Sequence, residues 1–165
     1  MHILIATDAD WIVDEITAAL GGPDTSFTVC RDGRAVAGVV EGRTPDLAIL
    51  DLQVGSMGGM ATMMALRLDE SGGNAPHVRA IMLLDRQADV FLAQRSDADG
   101  WLVKPLDALR LRRAVVAVTD GGTYFEGLPA PQAPISQDDA GTSGGESELD
   151  LEDGSPSEEE PATTG

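Results

Sequence analysis

Five short apolar runs, each followed by a stretch at helical spacing, recur along residues 1–119. No other feature constrains the fold as strongly. The first run, His2-Ile3-Leu4-Ile5-Ala6, is continuous rather than alternating. A strand of that kind is buried on both faces, as in a parallel sheet covered by helices. Ile12, Ile16, Ala19 and Leu20 then fall on one helical face, with Asp10 as the expected cap and Gly21-Gly22-Pro23 as the stop. The second unit is Ser26–Cys30 and a helix carrying Ala35, Val36, Val39 and Val40, ended by Gly42. The third is Asp46–Leu50, finishing at Asp51, followed by a loop holding Gly55, Gly58 and Gly59 and a helix from about Met60 to Leu68. Arg79–Leu84 and a short helix from about Ala88 to Arg95 make the fourth. The fifth is Gly100–Val103 with a last helix, capped by Asp107, whose Leu111, Ala114, Val115 and Val118 stand at i, i+3, i+4 and i+7. Five such units in a row predict an α/β fold with a doubly wound, five-stranded parallel sheet. Sheets of this type place their sites at the carboxyl ends of the strands.

Charge divides the chain in two. The 165 residues carry 28 acids and 11 bases, a formal net charge of −17. Residues 1–119 hold 16 of the acids and all 11 bases, whereas residues 120–165 hold the other 12 acids (28 − 16) and no base. The second part is also rich in Gly, Pro, Ser and Thr, and its few apolar residues have no period. Such composition cannot bury enough surface to offset its ordering entropy, so residues 120–165 read as a disordered acidic tail. Within it, Tyr124-Phe125-Glu126-Gly127-Leu128 is the one stretch able to pack back onto the domain.

Several function classes drop out. An acidic chain is repelled by phosphate backbones, so direct nucleic-acid binding is not expected. No apolar run reaches the roughly 18 residues of a membrane helix, and the N-terminus lacks the basic start and apolar core of a signal peptide. No membrane partner is therefore expected, and a cytoplasmic location is. Cys30 is the single cysteine, which excludes an internal disulfide and fits a small core residue.

The charged residues at strand ends carry the candidate chemistry. Asp8 lies just past strand one, Asp51 ends strand three, and Lys104 ends strand five ahead of Pro105. Where those three strands are neighbours, two carboxylates and one ammonium meet in a pocket. Facing carboxylates call for a counter-charge, and Mg²⁺ takes oxygen ligands while keeping several waters. An aspartate can accept a phosphoryl group as an acyl phosphate, and a lysine can pair with its oxygens. Lys104 is the only lysine in a chain whose other ten bases are arginines. Against this stands the plain reading of Asp51 and Asp8 as turn or helix caps and of Lys104 as a salt-bridge partner.

With these residues in place the chain resembles a bacterial response-regulator receiver domain, the partner of a sensor histidine kinase in two-component signalling. The resemblance rests on Ile3-Leu4-Ile5-Ala6-Thr7-Asp8, on Asp46-Leu47-Ala48-Ile49-Leu50-Asp51-Leu52 with Met57 and Gly59, and on Asp99-Gly100-Trp101-Leu102-Val103-Lys104-Pro105-Leu106. It spans residues 1–119 and implies the flavodoxin-like (βα)5 fold with strand order 2-1-3-4-5. It further implies Asp51 as phosphoacceptor, Mg²⁺ held by Asp8, Asp51 and the backbone carbonyl of Gln53, Lys104 on the phosphoryl group, and Trp101 as the switch aromatic. The family is a signalling family rather than an enzyme family, so no enzymatic output is expected.

The departures from the family pattern are equally specific. Thr7 stands where the first of two adjacent acids is usual, which weakens the expected Mg²⁺ site. Leu84 ends strand four where a Ser or Thr hydroxyl usually follows the phosphoryl oxygen, and Gly55 replaces a loop proline. Two readings therefore stand side by side. One is a single-domain receiver phosphorylated on Asp51 that signals through an unknown downstream protein. The other is a pseudo-receiver, an interaction module that works without phosphorylation. Met57, Met60, Met63 and Met64 read as packing, and His2 and His77 have no partners at ligand spacing. Arg110, Arg112 and Arg113 read as a solvated face or as an interface with the acidic tail or with a second copy, a homodimer.

Overall fold

The computed structural model describes residues 1–127. Its elements follow the predicted alternation: β1 His2–Ala6, α1 Asp10–Leu20, β2 Ser26–Cys30, α2 Ala35–Gly42, β3 Leu47–Asp51, α3 Gly59–Ser71 and β4 Ala80–Leu84. A 3₁₀ turn at Gln87–Asp89 then leads into α4 Val90–Ala93, followed by β5 Gly100–Val103, α5 Ala108–Thr119 and β6 Tyr124–Phe125. The sheet runs β2-β1-β3-β4-β5-β6, all parallel. The flavodoxin-like order 2-1-3-4-5 is present, with a sixth strand added beside β5.

Why the strands read as unbroken apolar runs is now evident. Every residue of β1, β3 and β4 is buried, and successive side chains supply two cores. Ile3, Ile5, Leu47, Ile49, Ile81 and Leu83 pack against α1 through Ile12 and Ile16 and against α5 through Leu111, Ala114 and Val118. Leu4, Ala6, Ala48, Leu50, Met82 and Leu84 face the opposite way, toward Val36 and Val40 of α2, Met63 and Leu66 of α3, and Val90 and Ala93 of α4. Helices on both faces force this double burial.

The local expectations differ from the structure in three places. Asp10 is the first residue of α1 rather than its cap; Ala9 holds the N-cap position with no side-chain bond. Asp10 instead reaches across to Arg31, at 2.5 Å. Helix α3 runs on to Ser71, because Arg67 and Glu70 in its last turn are tied down by His77 and Asp99. The fourth helix is shorter than Ala88–Arg95, since its first turn is 3₁₀. The cap on α5 is as expected, with Asp107 accepting from the backbone N–H groups of Leu109 and Arg110.

The boundary at residue 119 also moves. Tyr124–Phe125 pairs with Gly100 and Trp101, so the sheet continues into the segment read as tail. The expectation of disorder beyond Gly127 falls on residues outside those described. Among the described residues, no helix is long and apolar enough to cross a membrane.

Candidate functional site

Strand order decides which strand ends meet. Because β1 and β4 both flank β3, and β5 lies beyond β4, the residues after β1, β3, β4 and β5 converge at one edge of the sheet. Asp51 is the last residue of β3 and is 1% exposed. Its Oδ1 accepts from the Lys104 ammonium at 2.6 Å and from the Gln53 backbone N–H at 3.1 Å. Its Oδ2 accepts from the Thr7 hydroxyl at 2.7 Å. The Thr7 oxygen is itself held by the backbone N–H of Ala9 at 3.2 Å. Both carboxylate oxygens are therefore engaged, as a buried charge requires.

Lys104 has a second partner that sequence reasoning did not identify. Asp85, the residue directly after β4, accepts from its ammonium at 2.9 Å. The lysine is thus clamped between two carboxylates, with its side chain 10% exposed. Burial works to lower the Lys104 pKa, but the hydrogen bonds to Asp51 and Asp85 outweigh it and hold the ammonium above its usual value. For Asp85, burial acts upward, yet the hydrogen bond from Lys104 prevails and keeps the carboxyl below its usual value. The signal that could have found Asp85 is the one that found Asp51: an acid at the carboxyl end of a continuous apolar run. The Lys104–Pro105 peptide bond is cis.

The β3–α3 loop is shaped around Asp51. Gly58 has φ +75°, and a side chain at Gly59 would collide with the Asp51 backbone carbonyl. These glycines let the start of α3 close over the strand end.

The remaining predicted site residues are placed as follows. Asp8 is exposed, and its backbone carbonyl accepts from Arg31 at 3.3 Å. The Arg31 guanidinium also binds Asp10, so a cation of the chain itself lies beside the acids after β1. The Gln53 backbone N–H donates to the Asp51 carboxylate. Leu84 is fully buried in the core shared with α2, α3 and α4. Trp101 is buried, stacks on Phe125 at 4.2 Å between ring centroids and donates its indole N–H to the Glu126 carbonyl at 2.8 Å. Trp11 stands exposed at the mouth, its ring 5.9 Å from the Lys104 ammonium. Among the methionines, Met63 is core and Met60 packs on it, whereas Met57 and Met64 line an open groove of about 640 Å³ along α3, away from Asp51. Of the arginines on α5, Arg110 binds Glu126 at 2.5 Å and Arg112 donates to the Ala19 carbonyl at 2.7 Å.

Comparison with known proteins agrees with this geometry. The response regulator receiver domain family matches residues 3–116. The transcriptional regulatory protein CseB of Streptomyces avermitilis is 29% identical over 158 residues, covering 92% of this chain and 63% of CseB. The DNA-binding response regulator MtrA of Mycobacterium tuberculosis is 30% identical over 106 residues, 63% of this chain and 44% of MtrA. This chain thus spans between about half and two thirds of the length of these relatives. Two solved structures share the fold: the receiver domain of NtrX from Brucella abortus, with TM-score 0.62, 19% identity and coverage of 73% of this chain and 99% of that one; and the signal receiver domain of a histidine kinase from Syntrophus aciditrophicus, with TM-score 0.64, 20% identity and coverage of 86% and 97%. With Asp51 and Lys104 joined at the carboxyl edge of a 2-1-3-4-5 sheet, the chain belongs to the response regulator receiver domain family of two-component signalling.

Proposed function

We propose that this receiver works as a phosphorylation-independent interaction module, with Asp51 serving as the centre of a buried ionic lock. The observation that carries this reading is the state of the Asp51 carboxylate: 1% exposed, with Lys104, Gln53 and Thr7 donating to its two oxygens. A phosphoacceptor has to present an oxygen to the incoming phosphorus, and here almost no carboxylate surface is open. Asp85 supports the same reading, since it places a second anion on the lysine that already holds Asp51. Leu84 supplies no hydroxyl to follow that group.

The residues present are a poor fit to Mg²⁺. A hard cation wants carboxylate oxygens together with waters in a near-octahedral shell. Asp51 has both oxygens committed, Thr7 replaces one acid, and Arg31 already supplies positive charge beside Asp8 and Asp10. Signalling then rests on contact between this fold and other proteins of a two-component system, with the sensor histidine kinase as one such partner.

A second reading, phosphotransfer to Asp51 from a histidine kinase, is favoured by the 2.6 Å contact between Asp51 and Lys104, which matches the family's chemistry. One experiment separates them. Wild type and Asp51→Asn are incubated with acetyl phosphate or phosphoramidate and Mg²⁺, then weighed intact. No added phosphoryl group on the wild type is expected. An adduct that disappears in Asp51→Asn would overturn the lock and establish the second reading.

A further inference from the structure

The outer edge of β5 is where this chain adds something to its fold. Parallel pairing places Tyr124 beside Gly100 and Phe125 beside Trp101, making β6 a two-residue strand. Its backbone bonds run from Tyr124 N–H to the Asp99 carbonyl at 3.1 Å and from Glu126 N–H to the Trp101 carbonyl at 3.3 Å. Side chains then supply the selectivity. Phe125 stacks on Trp101 with an interplanar angle of 26°. The Glu126 carboxylate accepts from the Val103 N–H at 2.7 Å and from the Arg110 guanidinium at 2.5 Å, while Arg110 also holds the Val103 carbonyl at 2.8 Å.

The receptor side of this contact is built for a backbone to approach. A side chain at Gly100 would put its Cβ 2.8 Å from the Tyr124 carbonyl, too close to tolerate. Glycine there leaves room for a strand. The occupant, by contrast, is lightly held. Two residues of strand are marginal on their own, Phe125 remains 39% exposed, and the segment is flanked by Gly121 and Gly127, both in the left-handed region at φ +88° and +78°. Strand addition to an open sheet edge, with pockets for particular side chains, is a recognised mode of peptide recognition, and unpaired edges attract other strands.

We propose that the β5 edge is a recognition site for an extended peptide carrying an aromatic residue followed directly by a carboxylate, and that Tyr124–Glu126 occupies it in cis. A partner's segment of that chemistry binds by displacing this strap. Trp101 reads the aromatic ring, Arg110 and the Val103 N–H read the carboxylate, and Gly100 admits the backbone. This deepens the interaction-module reading by naming its surface and ligand. Phosphoryl addition is scored by mass and strand exchange by peptide binding, so either can fail alone.

The test uses the full chain and a fluorescent peptide with the sequence of residues 122–127. In Phe125→Ser/Glu126→Ala the site stays intact and the cis competitor is lost. Peptide anisotropy should then report binding about tenfold tighter than to wild type, since the competent state no longer has to be opened. Adding Arg110→Gln to that variant should abolish the gain. In a Trp11→Phe background, Gly100→Ala should displace the strap without touching Phe125 or Glu126, and acrylamide should quench Trp101 more strongly than in its parent. Equal peptide affinity for the wild type and the strap-released variant would overturn the proposal. So would unchanged Trp101 quenching in Gly100→Ala, a measurement that stands even where the double variant fails to fold.

Discussion

Replacing Lys104 with methionine tests the ionic lock most directly, because the structure predicts an asymmetry between its partners. The Asp51 side chain is 2% exposed and Lys104 is 10% exposed, so the charges face each other away from water. Removing one member of a buried pair leaves the other uncompensated, which typically costs about 3–5 kcal/mol. In Lys104→Met both carboxylates lose the ammonium; Asp85 is a third exposed to water, so the costly group is Asp51, still held by the Thr7 hydroxyl and the Gln53 N–H. Those two donors place the expected cost near the lower end, about 3 kcal/mol. Asp51→Asn is milder: Lys104 keeps Asp85, and the neutral amide loses charge-assisted bonds worth about 1.5 kcal/mol. For a folded part of this size, a cost of about 3 kcal/mol lowers Tm by roughly 10 °C. Guanidinium unfolding of the two single variants and the double variant closes a double-mutant cycle. The double should be more stable than the sum of the singles predicts, since methionine then faces a neutral Asn rather than a carboxylate. If Lys104→Met costs no more than Asp51→Asn, or the two effects simply add, the lock does not exist as described.

Three further outcomes are expected. Thr7→Asp removes the hydroxyl donor and adds a second carboxylate to a fully buried position beside Asp51, so it should destabilise the fold without divalent cations and create a Mg²⁺-dependent rise in Tm that the wild type lacks. The pH dependence of unfolding has two arms. The Asp85 carboxyl is held low in the fold, so its contribution is present above its ordinary pKa and lost as pH falls through the lower folded value; the Lys104 ammonium is held high, so its contribution is present below its ordinary pKa and lost as pH rises through the higher folded value. Both arms should flatten in Lys104→Met when denaturation midpoints are followed across pH. Finally, burial raises the pKa of the Cys30 thiol, so a thiol reagent should label it only as fast as the protein opens, and labelling at the rate of a free thiol would contradict its placement.

How far the chain could be read in advance depended on whether a feature was carried by neighbouring residues. Ile3-Leu4-Ile5 announces a strand buried on both faces because each residue contributes its own hydrophobicity, whatever it packs against. Asp107 caps α5 through N–H groups two and three residues away. Asp51 and Lys104 were legible as site residues because each ends an apolar run, and the family resemblance brought those ends together. Other contacts span the chain. Thr7 read as a missing acid, yet its hydroxyl meets a carboxylate 44 positions later. Asp85, one residue past an apolar run, had no role in the sequence reading, yet it shares a lysine 19 positions on. Glu126 lay in the one tail stretch read as able to pack back, but its partners, the backbone of β5 and the guanidinium of Arg110, were not legible.

The sequence by itself determined the alternation and the parallel sheet, and it marked Asp51 and Lys104 as charged residues closing apolar runs, since local hydrophobic periodicity and strand ends are one-dimensional properties. The tertiary structure alone decided who neutralises whom. That outcome depends on which strands lie side by side and in what register, and a shift of one residue turns every side chain to the opposite face of the sheet. Only after β1, β3, β4 and β5 are aligned do Thr7, Asp51, Asp85 and Lys104 share one desolvated corner, where distances of under 3 Å turn separate polar residues into a single charged cluster.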